Sequence, residues 1–194
     1  MRYVIVAVIK GVAGDFNNKL RKEVYFKYGA KSSKLPAHFT IKAPFEYNDS
    51  IIELEEILNN FCENENTSSF KIDGYDHFDE SVIYMKVNMS SEGKAIHDRL
   101  IDELRKINYI TFDKKDGKDK VFHITISSKG IKPIFNELWT YVNRYPCKFI
   151  SNFENISIYK WDNNTWILHK EFLFRQWLKL FYNKLTFAIK EKHE

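Results

Sequence analysis

Two short strings hold the residues best suited to chemistry, His38-Phe39-Thr40 and His123-Ile124-Thr125, inside the apolar, strand-like runs HFTIKAPFEY and VFHITIS. In an extended strand successive side chains alternate sides, so a histidine and a threonine two apart point the same way, roughly 6.6 to 6.8 Å apart. One such pair is a coincidence that any chain might contain. Two pairs, each followed by a helix-like segment, read as one module used twice. A cleft lined by two imidazoles and two hydroxyls has what phosphoester cleavage needs: a general base, a general acid and donors for a developing oxyanion. A free imidazole titrates near pH 6.5, so such a pair can offer one neutral and one protonated ring at neutral pH. Strict alternation carries the same faces on to Lys42 and Ser127, which are therefore substrate-binding candidates. Tyr3 is a third, one of several aromatics (with Tyr75, Tyr84, Tyr159 and Trp161) able to stack on a base.

Positioning four side chains across one cleft requires a scaffold, and the sequence predicts a repeated one. Tyr3 to Ile9 reads as a strand and Asp15 to Tyr28 as a helix capped by Asp15 and ended by Gly29. The first histidine strand, about Ala37 to Phe45, precedes a helix from Ile51 to Cys62. Strands at Phe70 to Phe78 and Val82 to Asn88 flank an Asp79-Glu80-Ser81 turn. A helix then starts at Ser90 or Ser91 and runs to Ile107. The charged run Asp113 to Lys120 reads as a solvated loop. The order repeats: the second histidine strand (Val121 to Ser127), a helix from Pro133 to Tyr145, and strands at Lys148 to Lys160 and Thr165 to Phe172 about an Asp162-Asn163-Asn164 turn. The expected fold is α+β, a bilobal pseudo-twofold domain of two antiparallel sheets with outer helices around a central cleft. It spans residues 1–175, and residues 176–194 read as an extra amphipathic helix with Trp177, Phe181 and Leu185 on one stripe.

Composition narrows the partners. A chain of 194 residues with 44% apolar residues, including sixteen Phe and eleven Tyr, can build a real core. A net charge of +4 suits a small anion or a short RNA end better than bulk duplex, which calls for a denser basic stripe. Cys62 and Cys147 form no close-spaced motif, so the reading is a reduced, cytoplasmic setting. No apolar run approaches the roughly 20 residues of a membrane span. His77, His97, His169 and His193 lack the context of the other two, and no His/Cys/Asp spacing resembles a zinc site; no metal or other cofactor is expected.

At Ala37-His38-Phe39-Thr40-Ile41 and Phe122-His123-Ile124-Thr125-Ile126 the chain resembles the two-histidine phosphoesterase superfamily, which includes the bacterial 2′-5′ RNA ligase-like proteins and cyclic phosphodiesterases. Leu35-Pro36 ahead of the first motif fits as well. The resemblance implies metal-independent attack on a phosphodiester, a 2′,3′-cyclic phosphate or 2′-5′ linkage of RNA or a nucleotide, with His38, Thr40, His123 and Thr125 catalytic. A binding protein that uses the same groove for a nucleotide or RNA end without turnover is the rival reading. Histidine-triad transferase chemistry is disfavoured because His-x-His-x-His is absent. Substrate size, the roles of the two rings and the oligomeric state stay open at this level.

Overall fold

A computed structural model describes residues 1–113 and 116–175; the expected C-terminal helix lies outside them. Strand β1 (Arg2–Val8) leads into helix α1 (Gly11–Tyr28), the first motif strand β2 (His38–Glu46) and helix α2 (Ile52–Asn64). A hairpin of β3 (Ser68–Phe78) and β4 (Val82–Met89) precedes α3 (Ser91–Leu104) and the second motif strand β5 (His123–Ser127). One 3-10 turn opens α4 (Phe135–Val142), and the strands β6 (Lys148–Phe153), β7 (Asn155–Asp162) and β8 (Thr165–Leu173) follow.

The strands form two four-stranded sheets, ordered β2-β1-β7-β8 and β5-β4-β3-β6, with every neighbouring pair antiparallel. The expected α+β architecture of two antiparallel sheets with helices is therefore present. Each motif strand is the edge of its own sheet, and the two edges approach one another. The sheets interleave the halves of the sequence. The β3-β4 hairpin that follows the first motif pairs with the second motif strand, while β7 and β8 return to the first sheet.

That return explains one correction. The run from Lys148 to Lys160 is two strands in different sheets, broken at Glu154. Hydrophobic period cannot register a crossing between sheets, because both sides of the break remain extended. Buried Asn155 secures the crossing: its amide accepts from Val8 N (2.9 Å) and donates to Val8 O (2.8 Å), replacing a strand partner at the end of β1. Helix α1 also starts four residues before Asp15. Gly14 allows it, since a Cβ there would sit 2.0 Å from the Ile9 carbonyl oxygen. The helix ends as its sequence predicts, with Gly29 at φ 67° donating to Tyr25 O. The two hairpin turns also match expectation, with Asp79, Asn163 and Asn164 at positive φ.

One continuous core joins both sheets and the four helices α1 to α4. At its centre stands Phe39, the residue between the first histidine and threonine. Its ring meets those of Phe70, Phe122 and Phe153 at 6.1, 5.5 and 5.1 Å, edge to face. These partners all belong to the second sheet or to the approach to β5, so Phe39 is the wedge that sets the spacing of the two motif strands. Phe39→Ala is expected to cost about 3 to 5 kcal/mol and lower Tm by on the order of 10 °C. Phe39→Leu should retain the fold in circular dichroism while lowering kcat, and an unchanged kcat in that variant would contradict the spacing role.

Candidate active site

Strand register assigns the faces. Val8 is paired with His38, Val6 with Thr40 and Val4 with Tyr159, so these six side chains share one face of the first sheet. On the second sheet Lys86 is paired with His123, and Tyr84 with Thr125 and Asp76. The opposite faces carry the core. The floor between the two edges includes a small separate apolar cluster of Val4, Val6, Leu35 and Tyr159, flanked by Val8 and Trp166. All four motif side chains thus line the facing surfaces of two adjacent edge strands.

The two histidines are held in the same way. His38 Nδ1 lies 2.6 Å from the carbonyl oxygen of Pro36, and His123 Nδ1 lies 2.8 Å from that of Val121. A carbonyl only accepts, so Nδ1 carries the hydrogen in both rings and Nε2 is left as the free basic nitrogen. In each motif the backbone two residues upstream thereby selects tautomer and orientation together. His123 is further bracketed by Phe78 (5.0 Å) and Tyr84 (5.1 Å). Neither threonine hydroxyl bonds another residue among those described.

Burial dominates the electrostatics of the pair. His38 is enclosed and its pKa falls to about 4, chiefly by desolvation, with smaller pushes from the Arg21 guanidinium and from His123. The His123 pKa is also lowered, by desolvation first and then by the Lys120 ammonium. Burial therefore weights both rings toward their neutral form. An anionic phosphate between them would favour protonation again.

The remaining candidates fall elsewhere. Lys42 is 4% exposed and ion-paired with Asp116, itself 3% exposed. Ser127 is buried and donates to Lys31 O. A bulge causes both departures. In β2 the register slips by one residue at Ile41, so Lys42 pairs with Ile5 and shares its core face; in β5 the slip falls at Ile126, and Ser127 pairs with core-facing Ile83. The two bulges occupy equivalent places, three residues after each histidine. Tyr3 misses the groove by one position, since β1 turns Val4, Val6 and Val8 to it and packs Tyr3 with Phe45 and His169 behind. Of the other aromatics, Tyr84, Tyr159 and Trp161 face the groove, while Tyr75 pairs with core-facing Met85.

The charged run 113–120 is another correction, because Asp116 and Lys120 turn inward. Asp116 Oδ1 accepts from Ala43 N, and Lys120 Nζ donates to the carbonyls of Thr40 and Ile41, where the bulge leaves β2 without a partner. The loop before β2 serves β5 in return: Lys31 O accepts from the amides of Ser128 and Lys129 as well as from Ser127 Oγ. Helix α1 braces both strands through neighbouring residues, Asn17 donating to Thr125 O (3.3 Å) and Asn18 accepting from Ala37 N (3.1 Å). Arg21 ties down the segment before His38 through Leu35 O, Ser33 O and Ser32 Oγ. A polar signal marked Asn17, since it interrupts the buried stripe Ala13, Leu20, Val24 of α1. Nothing in the sequence marks the inward turn of Asp116 or Lys120.

Two histidines with Nε2 unengaged, each two residues before a threonine, thus stand on adjacent edge strands. Residues 13–165 match the model of the 2′-5′ RNA ligase superfamily, and the chain belongs to that family. A "Putative phosphoesterase" of Geobacillus thermodenitrificans is 24% identical over 177 residues, covering 89% of this chain and 96% of its own. Another of the same description from Bacillus pumilus is 24% identical over 181 residues, covering 89% and 97%. The fold is shared with TT0787 of Thermus thermophilus, at TM-score 0.65 and 12% identity over 91% of this chain and all of that one. It is shared as well with E. coli LigT complexed with 3′-AMP, at TM-score 0.54 and 12% identity over 90% and 98%.

The buried histidines give stability a pH dependence of definite sign. His97, fully buried against Phe122 on α3, has a pKa lowered to about 4, again mainly by desolvation. The unfolded chain binds protons at these positions below about pH 6.5, whereas the folded protein does not until about pH 4. Stability is therefore lost as pH falls through that window, by roughly 1 kcal/mol per pH unit for each of His38 and His97. Urea midpoints are expected to fall steadily from pH 7 to pH 5, and more gently in His97→Leu. An equal slope in that variant would disprove the contribution of His97.

Proposed function

We propose that this cleft cleaves a phosphodiester of RNA or of a nucleotide, a 2′,3′-cyclic phosphate or a 2′-5′ linkage, by acid and base catalysis from His38 and His123 without a metal. The observation that carries the reading is the matched pair of Nδ1 hydrogens held on carbonyls two residues upstream. It leaves two Nε2 atoms to exchange protons with substrate. The more deeply desolvated His38 resists protonation most and acts as the base, taking a proton from water or a ribose hydroxyl. His123, more accessible and less completely desolvated, gives a proton to the leaving oxygen. The unengaged hydroxyls of Thr40 and Thr125 donate to the non-bridging oxygens as charge builds. The partly exposed Trp161 and Trp166 offer flat faces to a base, and the 3′-AMP held by LigT, a protein of the same fold, supports a nucleotide in such a groove.

Turnover of 2′,3′-cyclic nucleotides or 2′-5′ linked oligonucleotides is expected to persist in chelator. His38→Ala or His123→Ala should lower kcat by on the order of 100-fold to 10,000-fold, and Thr40→Val or Thr125→Val by roughly tenfold or more. Binding without turnover, or activity that survives both histidine substitutions, would refute the mechanism.

The pH profile has its own expectation. In the free enzyme the base must be neutral and the acid protonated, so kcat/KM should rise with the ionisation of His38 near pH 4 and fall again below pH 6.5 as His123 loses its proton. Lys120→Met removes a cation that disfavours protonated His123, and the alkaline limb should move to higher pH. A limb that stays in place would show that Lys120 does not act on His123.

A further inference from the structure

The face of α1 turned away from the core forms a second surface. Its buried stripe is Ala13, Gly14, Asn17, Leu20 and Val24. On another side Asn18, Arg21, Lys22, Tyr25 and Phe26 recur at helical spacing and, with the segment 30–36, line an open cleft of about 920 Å³. Arg21, Lys22, Lys31 and Lys34 all border it, and among the described residues no carboxylate does. Phe26 is 82% exposed and Tyr25 48%, their rings 5.7 Å apart. Burial in the core accounts for neither ring.

Charge and shape select the occupant. Three lysines without a counter-carboxylate along the cleft, beside an Arg21 whose guanidinium is engaged by Ser32, Ser33 and Leu35, call for a polyanion, and two exposed rings call for flat apolar groups along it. Single-stranded nucleic acid supplies both, with phosphates for the cations and bases for the rings. The cleft also adjoins the catalytic groove. Leu35 and Pro36 line it, while Leu35 packs in the groove floor and the Pro36 carbonyl orients His38. Lys34 reaches from the same segment to within 5.9 Å of the Trp161 ring. A free mononucleotide would fill the groove and leave this second cleft empty, whereas a longer strand would run from one into the other.

We propose that the α1 cleft binds nucleotides flanking the scissile phosphate, so that the substrate is a single-stranded oligoribonucleotide rather than a free cyclic nucleotide. This rests on the phosphodiester reading of the site. Phe26→Ala and Lys22→Glu alter only exposed side chains and test it in two measurements. In the first, each variant should raise KM roughly tenfold for a ten-nucleotide RNA ending in a 2′,3′-cyclic phosphate, with kcat little changed and turnover of a 2′,3′-cyclic mononucleotide unaffected.

In the second, the anisotropy of a fluorescent ten-nucleotide RNA is followed in a His123→Ala background. Affinity should weaken roughly tenfold with either substitution, and Lys22→Glu should also reduce the salt dependence. Equal RNA affinity with and without the substitutions, or no binding, overturns the proposal even if mononucleotides are cleaved. Equal affinity for duplex RNA, or displacement of RNA by anionic phospholipid vesicles, overturns it in favour of another polyanion. Cleft-dependent RNA binding by a protein that cleaves no phosphodiester upholds the RNA cleft and refutes the catalytic reading alone.

Discussion

The packing of Phe39 against Phe70, Phe122 and Phe153 is the constraint from which the site follows. Two sheets that met only through their helices could slide or hinge, and the two motif histidines, on separate sheets, would move with them. The motif residue between His38 and Thr40 points the other way, into the second sheet's core, because strand side chains alternate. The alternation that sends histidine and threonine to the groove thus also sends the intervening phenylalanine to fix its width. The site is held from behind by the same three-residue string that forms its front.

Each motif strand is an edge, and an edge strand exposes unpaired backbone groups. Both strands also bulge one residue after the threonine, which orphans further groups at the same place. The fold resolves this reciprocally. The loop leading to the second motif satisfies the first strand through Lys120 and Asp116, and the loop leading to the first satisfies the second through the backbone of Lys31. Breaking either loop would disturb both halves of the cleft. Lys42 and Asp116 lie side by side in this seam as a buried ion pair, whose separation would leave a charge without water or partner.

The chemistry inherits its character from this enclosure. Desolvation disfavours the protonated form of both imidazoles, and the carbonyls of Pro36 and Val121 assign the hydrogen of each ring to Nδ1. A bound phosphodiester would bring negative charge that favours a proton on one ring, as the acid role proposed for His123 requires. The α1 cleft adds cations and exposed rings beside the groove, on elements whose inner faces already hold His38 in place.

Much of this was legible in order and spacing. The duplicated His-x-Thr strings, the hairpin turns at Asp79 and Asn163-Asn164, the glycine that ends α1 and the alternation of strands and helices are local properties, set by side-chain periodicity and backbone preference within a few residues. They were enough to suggest the family and an α+β fold of two antiparallel sheets, and to single out the four motif residues. Tertiary structure decided which strands share a sheet, where the ladder slips and which charges are buried. A bulge reverses facing for the residue that follows it, so Lys42 and Ser127 left the groove. Asp116 and Lys120 are indistinguishable in sequence from the solvated charges around them, and only the unpaired backbone of a strand distant in sequence draws them inward. Local preference is written in the chain; a partner far along it exists only once the sheets have met.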